Sequence, residues 1–321
     1  MAYTQTSSLS VDQAAFDRLA YFALRSELLF DGVADVMPTQ QAMPGSSVTF
    51  TIFNDLAAAT SALTEASDVT PVAMSDSQVT VTLAEYGNAV LTTAKLRGTS
   101  FLDVDTVAAN VVGYNAGISL DSIVSTVLAG GSNVVYGGGG ATTPSSRTTV
   151  AVEDEIEAND IRKVTAQLRG DNVPTFNGLY MGFIHPAVSY DLRSETGAAA
   201  WRDPHVYVDT DMIYNGEIGA FEGVRFVETP RAPLFADASD GAGAAGNIDV
   251  YATLVMGRQA LAKAHSIVDG NGPLPKIVRG PIVDTLERFQ PVGWYWLGGY
   301  GRFREASLRR IESSSSIGAN S

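Results

Sequence analysis

The chain contains no cysteine, only three histidines and only four lysines in 321 residues. Without thiols it can form neither disulfides nor thiolate metal sites, which suits a reducing compartment or indifference to redox state. His185, His205 and His265 lie far apart with no carboxylate at metal-ligand spacing, so they read as scattered surface or satisfied core residues. The N-terminal MAYTQTSSLS lacks the basic start and apolar run of a signal peptide, and no stretch looks long and apolar enough to cross a bilayer. A soluble protein without a membrane partner is expected. Nucleophile elbow, dinucleotide fingerprint and kinase signatures are all missing. No catalytic, cofactor-binding or metal residue is assigned, and the chain is read as a non-enzyme.

The most telling absence is local. Between Ser26 and Ala94 there is no lysine or arginine, yet the stretch carries Glu27, Asp31, Asp35, Asp55, Glu65, Asp68, Asp76 and Glu85, more than half of the net charge of -14. The acidic balance argues against binding a phosphate backbone, since that affinity comes largely from lysine and arginine displacing counterions. A one-sided acidic segment near the N-terminus fits an arm that meets another molecule. The C-terminal part from Lys276 to Glu312 has the opposite balance, seven basic residues against four acidic, with Arg309 and Arg310 adjacent.

With 45% hydrophobic residues the chain has ample core material. From Val11 the residues Ala14, Ala15, Leu19, Phe22 and Ala23 have helical spacing behind a possible Ser10 cap, and Gly32 is a suitable stop. SVTFTIF (47–53) and QVTVTLAEYG (78–87) alternate and are rich in β-formers, so both read as strands around a connection far longer than a hairpin turn. Val48, Phe50 and Ile52 on the first, and Val79, Val81 and Leu83 on the second, give each an apolar face that an extended arm cannot bury alone. These six, with Arg309 and Arg310, are the candidate subunit-interface residues.

A long helix is expected from Asp103 to about Ala129. Its two apolar stripes, Val104, Val107, Ala108, Val111, Val112 and then Leu120, Ile123, Val124, Val127, Leu128, are offset by roughly 160° around the axis. Either one helix is buried on different sides along its length, or it breaks near Gly113 and Gly117. The glycine run in YGGGGATTPSS reads as a flexible loop, and the acidic cluster Glu153, Asp154, Glu155, Glu157, Asp160 as a solvated helix entry. NDIRKVTAQLRG reads as a helix capped by Asn159 or Asp160 and closed by Gly170. Strands are expected at 179–186, 223–230, 249–256 and 293–303, where Trp294 and Trp296 alternate as a packed sheet face. His185 marks a strand-to-helix junction, and the tail from Ser313 is expected to fray. Strands and helices without regular alternation favour an α+β fold.

The order of TEASDV (64–69), QVTVTLAEYGNAV, DIRKVTAQLRGDNVP, GFIHPAVSYDLR (182–193), YNGEIGAFEGVRFVETP (214–230), VYATLVMGRQALA (250–262) and GWYWLGGYGRFREASLRRIESS resembles the coliphage N-four-like family of phage major capsid proteins over nearly the whole chain. None of these segments is a catalytic signature; their joint order carries the resemblance.

The resemblance implies the Hong Kong 97 capsid fold. On that fold residues 1–45 would be the N-terminal arm, 46–95 the extended loop that lies over a neighbour, 96–149 the peripheral domain with its spine helix, 150–270 the axial domain, and 271–321 C-terminal strands completing the peripheral domain. It also implies self-assembly into hexamers and pentamers of an icosahedral virion capsid, built in the bacterial host cytoplasm around packaged DNA that is enclosed without specific binding. A portal protein is the expected partner. The arm helix begins almost at once, so scaffolding is expected to be a separate protein or absent, and a cement protein is a further candidate. An encapsulin-like compartment shell is the alternative within the same architecture. An enzyme would need a deep pocket with convergent polar groups, and a tail or decoration protein would not close shells.

Overall fold

The structure, a computed structural model, describes residues 29–39, 47–53, 56–63, 65, 68–100, 103–140, 143–195, 217–239, 248–267, 272–282, 284–286 and 288–317. The helix expected from Val11 lies outside the described residues. In chain order the elements are a 3-10 turn (Phe30–Val33), β1 (Ala34–Thr39), β2 (Ser47–Phe53), β3 (Asp76–Thr82), β4 (Ala84–Thr93), α1 (Ala94–Thr99), α2 (Val104–Ala129) and β5 (Val134–Tyr136). There follow α3 (Ala158–Gly170), β6 (Tyr180–Ile184), α4 (Pro186–Ser194), β7 (Glu217–Phe221), β8 (Val224–Glu228), β9 (Leu234–Ser239), β10 (Ile248–Met256), β11 (Leu261–Ser266), β12 (Lys276–Arg279), β13 (Phe289–Arg302) and β14 (Leu308–Ser313).

Two sheets organise the chain. The first is built on β13, whose one edge pairs β12 and then β11, with β1 beyond, while its other edge pairs β4 along ten residues. The second runs β5-β14-β10-β6-β8-β7, with β9 also on β10. A separate two-stranded hairpin, β2–β3, leaves the first sheet at Leu83, where the single strand expected over 78–87 turns out to be two. The C-terminal strands divide between the two sheets. β13 belongs to the first sheet and β14 to the second, because β14 finds its partners in β10 and β5.

α2 sits at the junction of the two sheets. It starts on Asp103, whose carboxylate accepts from the Asp105 N–H at 3.2 Å, and it is continuous through Gly113 and Gly117. Its buried side repeats every four residues through Ala108, Val112, Ala116, Leu120, Val124 and Leu128. The first half turns small residues inward, so Val107 and Val111 of the expected stripe face solvent at 49% and 54% exposure. That choice lets β13 come close: Trp294 Nε1 donates to Asn115 Oδ1 at 2.9 Å, and Asn88 on β4 reaches the same oxygen. By length and hydropathy α2 would also pass as a membrane span, contrary to the expectation of no such stretch, but half of its most apolar window is buried inside the fold. Full burial of each large apolar side chain such as Leu120 or Leu128 is worth about 1.5–3 kcal/mol. Trp294 and Trp296 are both buried, as a packed sheet face requires.

A second core lies between α3, α4 and the second sheet, around Ile161, Val164, Leu168, Val188, Phe226 and Ile311. α3 is capped by Glu157 through a capping box with Asp160, two or three residues before the expected Asn159 or Asp160, and Gly170 is its last residue. His185 does mark the junction of β6 and α4, its Nδ1 accepting from the Ala187 N–H at 3.2 Å.

The glycine run, expected as a flexible loop, and Asp154 and Asp160 of the cluster expected as a solvated helix entry, are built into the fold. Asp154 Oδ2 accepts from the Ala151 N–H at 2.7 Å, and Asp160 Oδ2 accepts from Gly138 at 3.0 Å and Glu157 at 3.2 Å. A side chain at Gly137 would lie 2.6 Å from the Asp154 carbonyl oxygen, so glycine permits the close approach of two backbones. The serine tail docks as well. Ser314 donates its N–H to Asp154 O at 3.0 Å, and Ser316 binds Asp191, so fraying does not begin at Ser313.

Candidate assembly surfaces

The hairpin pairs Val48 with Val81 and Phe50 with Val79, so the expected apolar residues of both strands share one face. That face is divided along its length. Phe50 and Val81 are buried by the chain's own Ala262 and Ala264, and the Phe50 ring lies 5.4 Å from that of Phe303. As candidates for contact with a neighbour these two are corrected: they root the hairpin in its own subunit. The seat requires glycines beneath it, for a Cβ at Gly299 would come within 2.2 Å of Thr82 O. Val48, Ile52, Val79 and Leu83 are half-buried. Beyond them, every described residue between 56 and 75 is exposed, with Leu63, Val72 and Met74 all above 70%.

Arg309 and Arg310 occupy quite different settings from an open interface. Arg310 is buried, pairs with Glu312 at 2.7 Å and donates to the Ala129 carbonyl; Arg147 holds the same Glu312 at 2.6 Å. Arg302 donates to the Val127 carbonyl at 3.1 Å. Two arginines from β13 and β14 thus satisfy the orphan carbonyls and negative end of α2, which has no basic residue in its own last turn. Arg309 pairs with the half-exposed Asp171. Arg310 is therefore corrected from interface residue to internal cap.

A third feature escaped sequence reasoning. At the start of the described chain, Asp31 receives Lys263 Nζ at 2.6 Å and the Tyr300 hydroxyl at 2.8 Å. Lys263 and Tyr300 face each other across β11 and β13. The fully buried Asp121 of α2 accepts the N–H of Leu29 at 3.2 Å and of Phe30 at 3.4 Å, and Arg231 Nη1 at 3.1 Å. Burial pushes the Asp121 carboxyl up to about 6, against the pull of Arg231 and the two backbone donors. Burial likewise lowers Lys263, with Asp31 holding it back. Phe30 seals the site against Phe183 at 4.6 Å between ring centroids. The segment leading out of residues 1–28 is thereby fastened to the centre of the fold. A lysine in a buried strand and an aspartate in the middle of an apolar helix are the only sequence signals for this arrangement.

Among the described residues, no three His, Asp or Glu side chains converge as a metal site. The geometry is that of a two-sheet body with a long helix at the junction and an uncovered loop leading out of a rooted hairpin. The chain matches the phage capsid protein family over residues 5–317 and belongs to it. It is a major capsid protein of a phage, a building block of an icosahedral shell. No curated protein matches it.

Solved structures carry the same fold, the Hong Kong 97-type capsid fold. The chain is similar to the capsid protein of Ralstonia phage GP4 (17% identity, TM-score 0.71, covering 100% of this chain and 96% of that one). It is similar to that of cyanophage Pam1 (15%, 0.63, 88% and 89%). A third likeness is to the acid-stable capsid of Helicobacter pylori bacteriophage KHP30 (12%, 0.63, 91% and 90%).

Proposed function

We propose that the chain assembles into hexamers and pentamers around double-stranded DNA of a tailed phage, with the tip of the β2–β3 hairpin laid on a neighbouring subunit. On this reading the first sheet and α2 form the peripheral domain, and the second sheet with α3 and α4 forms the axial domain. The observation that carries it is the division of the hairpin, whose root is buried by its own chain while residues 56–75 expose Leu56, Leu63, Val69, Val72 and Met74 to solvent. A projecting loop with that much apolar side chain is covered in the functional state. The acidic balance suits a container, since a basic lining would hold DNA by counterion release. The specific N-four-like kinship, a portal partner, and separate scaffolding and cement proteins remain part of this proposal.

Deleting residues 56–75 tests it. The variant should yield folded, soluble subunits with unchanged circular dichroism that form no shells by electron microscopy; normal particles would refute the role given to the hairpin.

A further inference from the structure

We propose that residues 11–28 pack as a helix along the solvent side of α2 in their own subunit, covering an apolar stripe that the described residues leave open. The stripe is Val107, Val111 and Tyr114, exposed at 49%, 54% and 50%, continued by the half-buried Ile118. At ~100° per residue these four and Asp121 fall within roughly 80° of one another around the helix axis. One side of α2 carries all five. Toward the C-terminal end that side is covered: Leu29 and Phe30 donate their N–H groups to Asp121, Arg231 closes on the same carboxylate, and the Arg231 carbonyl accepts from the Ser125 hydroxyl. From Tyr114 back to Val107 the same side is open. An apolar row that continues a covered surface is itself a surface awaiting cover.

The position of Leu29 selects the occupant. It fixes the exit of the N-terminal segment at Asp121, and its own backbone lies in the right-handed helical region, φ −95° and ψ −48°. The segment before it has the apolar spacing of a helix. Eighteen helical residues span about 27 Å, and Val107 lies about 21 Å from Asp121 along the axis, so a helix over 11–28 is long enough to cover the whole stripe. Laid back along α2, it runs in the same direction with the same rise per residue. The offset of 92 positions between Leu29 and Asp121 then carries along its length. At that offset Ser26 meets Ile118, Phe22 meets Tyr114, Leu19 meets Val111 and Ala15 meets Val107. Both rows step by four, three and four residues, the spacing of a two-helix seam. Over these residues the N-terminal segment belongs to the body of its own subunit, and an arm that reaches outward is confined to the residues before Val11.

The test uses the full chain as unassembled subunits, mixed from isotope-labelled and unlabelled copies. A benzophenone amino acid in place of Val111 should, on irradiation, link to the peptide holding Leu19 of the same copy. No link, a link to another segment, or a link joining labelled to unlabelled copies overturns the proposal. Hydrogen exchange gives a second reading. Val107→Ser with Val111→Ser should speed exchange of the amides from 15 to 26 by about tenfold or more, while those of α2 from Ala116 to Leu128 hold their protection. Leu19→Asp with Phe22→Asp should do the same from the other side of the seam. Equal exchange at 15–26 in parent and variants contradicts the packing. The hairpin reading stands or falls separately, since none of these substitutions touches residues 47–82.

Discussion

The carboxylate of Asp121, fully buried in α2, accepts the backbone N–H of Leu29 at 3.2 Å across ninety-two positions of sequence. With Arg231 on its other oxygen, it ties the root of the N-terminal segment to the helix at the junction of the two sheets. Burial raises this carboxyl from 3.8 to about 6. The folded state therefore holds the proton more tightly than the unfolded chain. Its contribution to stability is full below about pH 4 and declines as pH rises to about 6, by about 3 kcal/mol for a shift of this size. Asp121→Asn keeps an acceptor without the charge. Urea unfolding of unassembled subunits from pH 4 to 7 should show the parent losing stability relative to the variant across that window; parallel curves would contradict the assignment.

Lys263 and Asp31 form a pair whose lysine end is fully enclosed. Lys263→Met should cost about 3–5 kcal/mol, because it leaves the largely enclosed Asp31 carboxylate beside Tyr300 without its cation. The double variant Lys263→Met, Asp31→Asn should recover most of the loss, since an apolar and a neutral polar group need no compensating charge. A double-mutant cycle by denaturant unfolding reads the coupling directly.

The two adjacent arginines should part company. Arg310→Ala removes a buried cap of α2 and one of the two partners of Glu312, and should cost about 3 kcal/mol without relief from salt, because buried pairs are little screened. Arg309→Ala breaks only a pair to the half-exposed Asp171 and should cost less than about 1 kcal/mol. Thermal unfolding at low and high ionic strength separates them.

The contrast between these arginines shows where sequence reasoning stops. Alternation placed β2 at 47–53 without error, and the apolar segments at β6, β8, β10 and β13 were legible for the same reason. β1 was missed because Pro38 interrupts it, which an edge strand tolerates. β11 was missed because LAKAHS carries a lysine and a histidine, and a charged residue in a buried strand makes sense only once Asp31 is beside it. Arg310 reads from sequence as an interface residue and the acidic cluster as a solvated helix entry, whereas Arg310, Asp154 and Asp160 satisfy backbone groups of other segments. In the hairpin, apolar phase identified the right face, but alternation alone cannot tell a face covered by its own chain from one left for a neighbour.

The shell should be held without covalent links between subunits. The chain has no cysteine, and its lysines are Lys95, Lys163, Lys263 and Lys276, none within the hairpin or its loop. Lys263 is enclosed with Asp31, and Lys95 lies on α1 at the foot of β4. Particles boiled in detergent without reductant should release a single 33.8 kDa species. A ladder of oligomers with Lys95 modified would contradict this.

The central claim is that this chain builds a closed shell in which each projecting hairpin is completed by the next subunit. Cryo-electron microscopy of the assembled protein tests it most directly. The account predicts icosahedral particles whose asymmetric unit shows residues 47–82 rooted on their own β11 and residues 56–75 covered by an adjacent copy. Open or absent assemblies, or a shell in which 56–75 folds back on its own subunit, would contradict it.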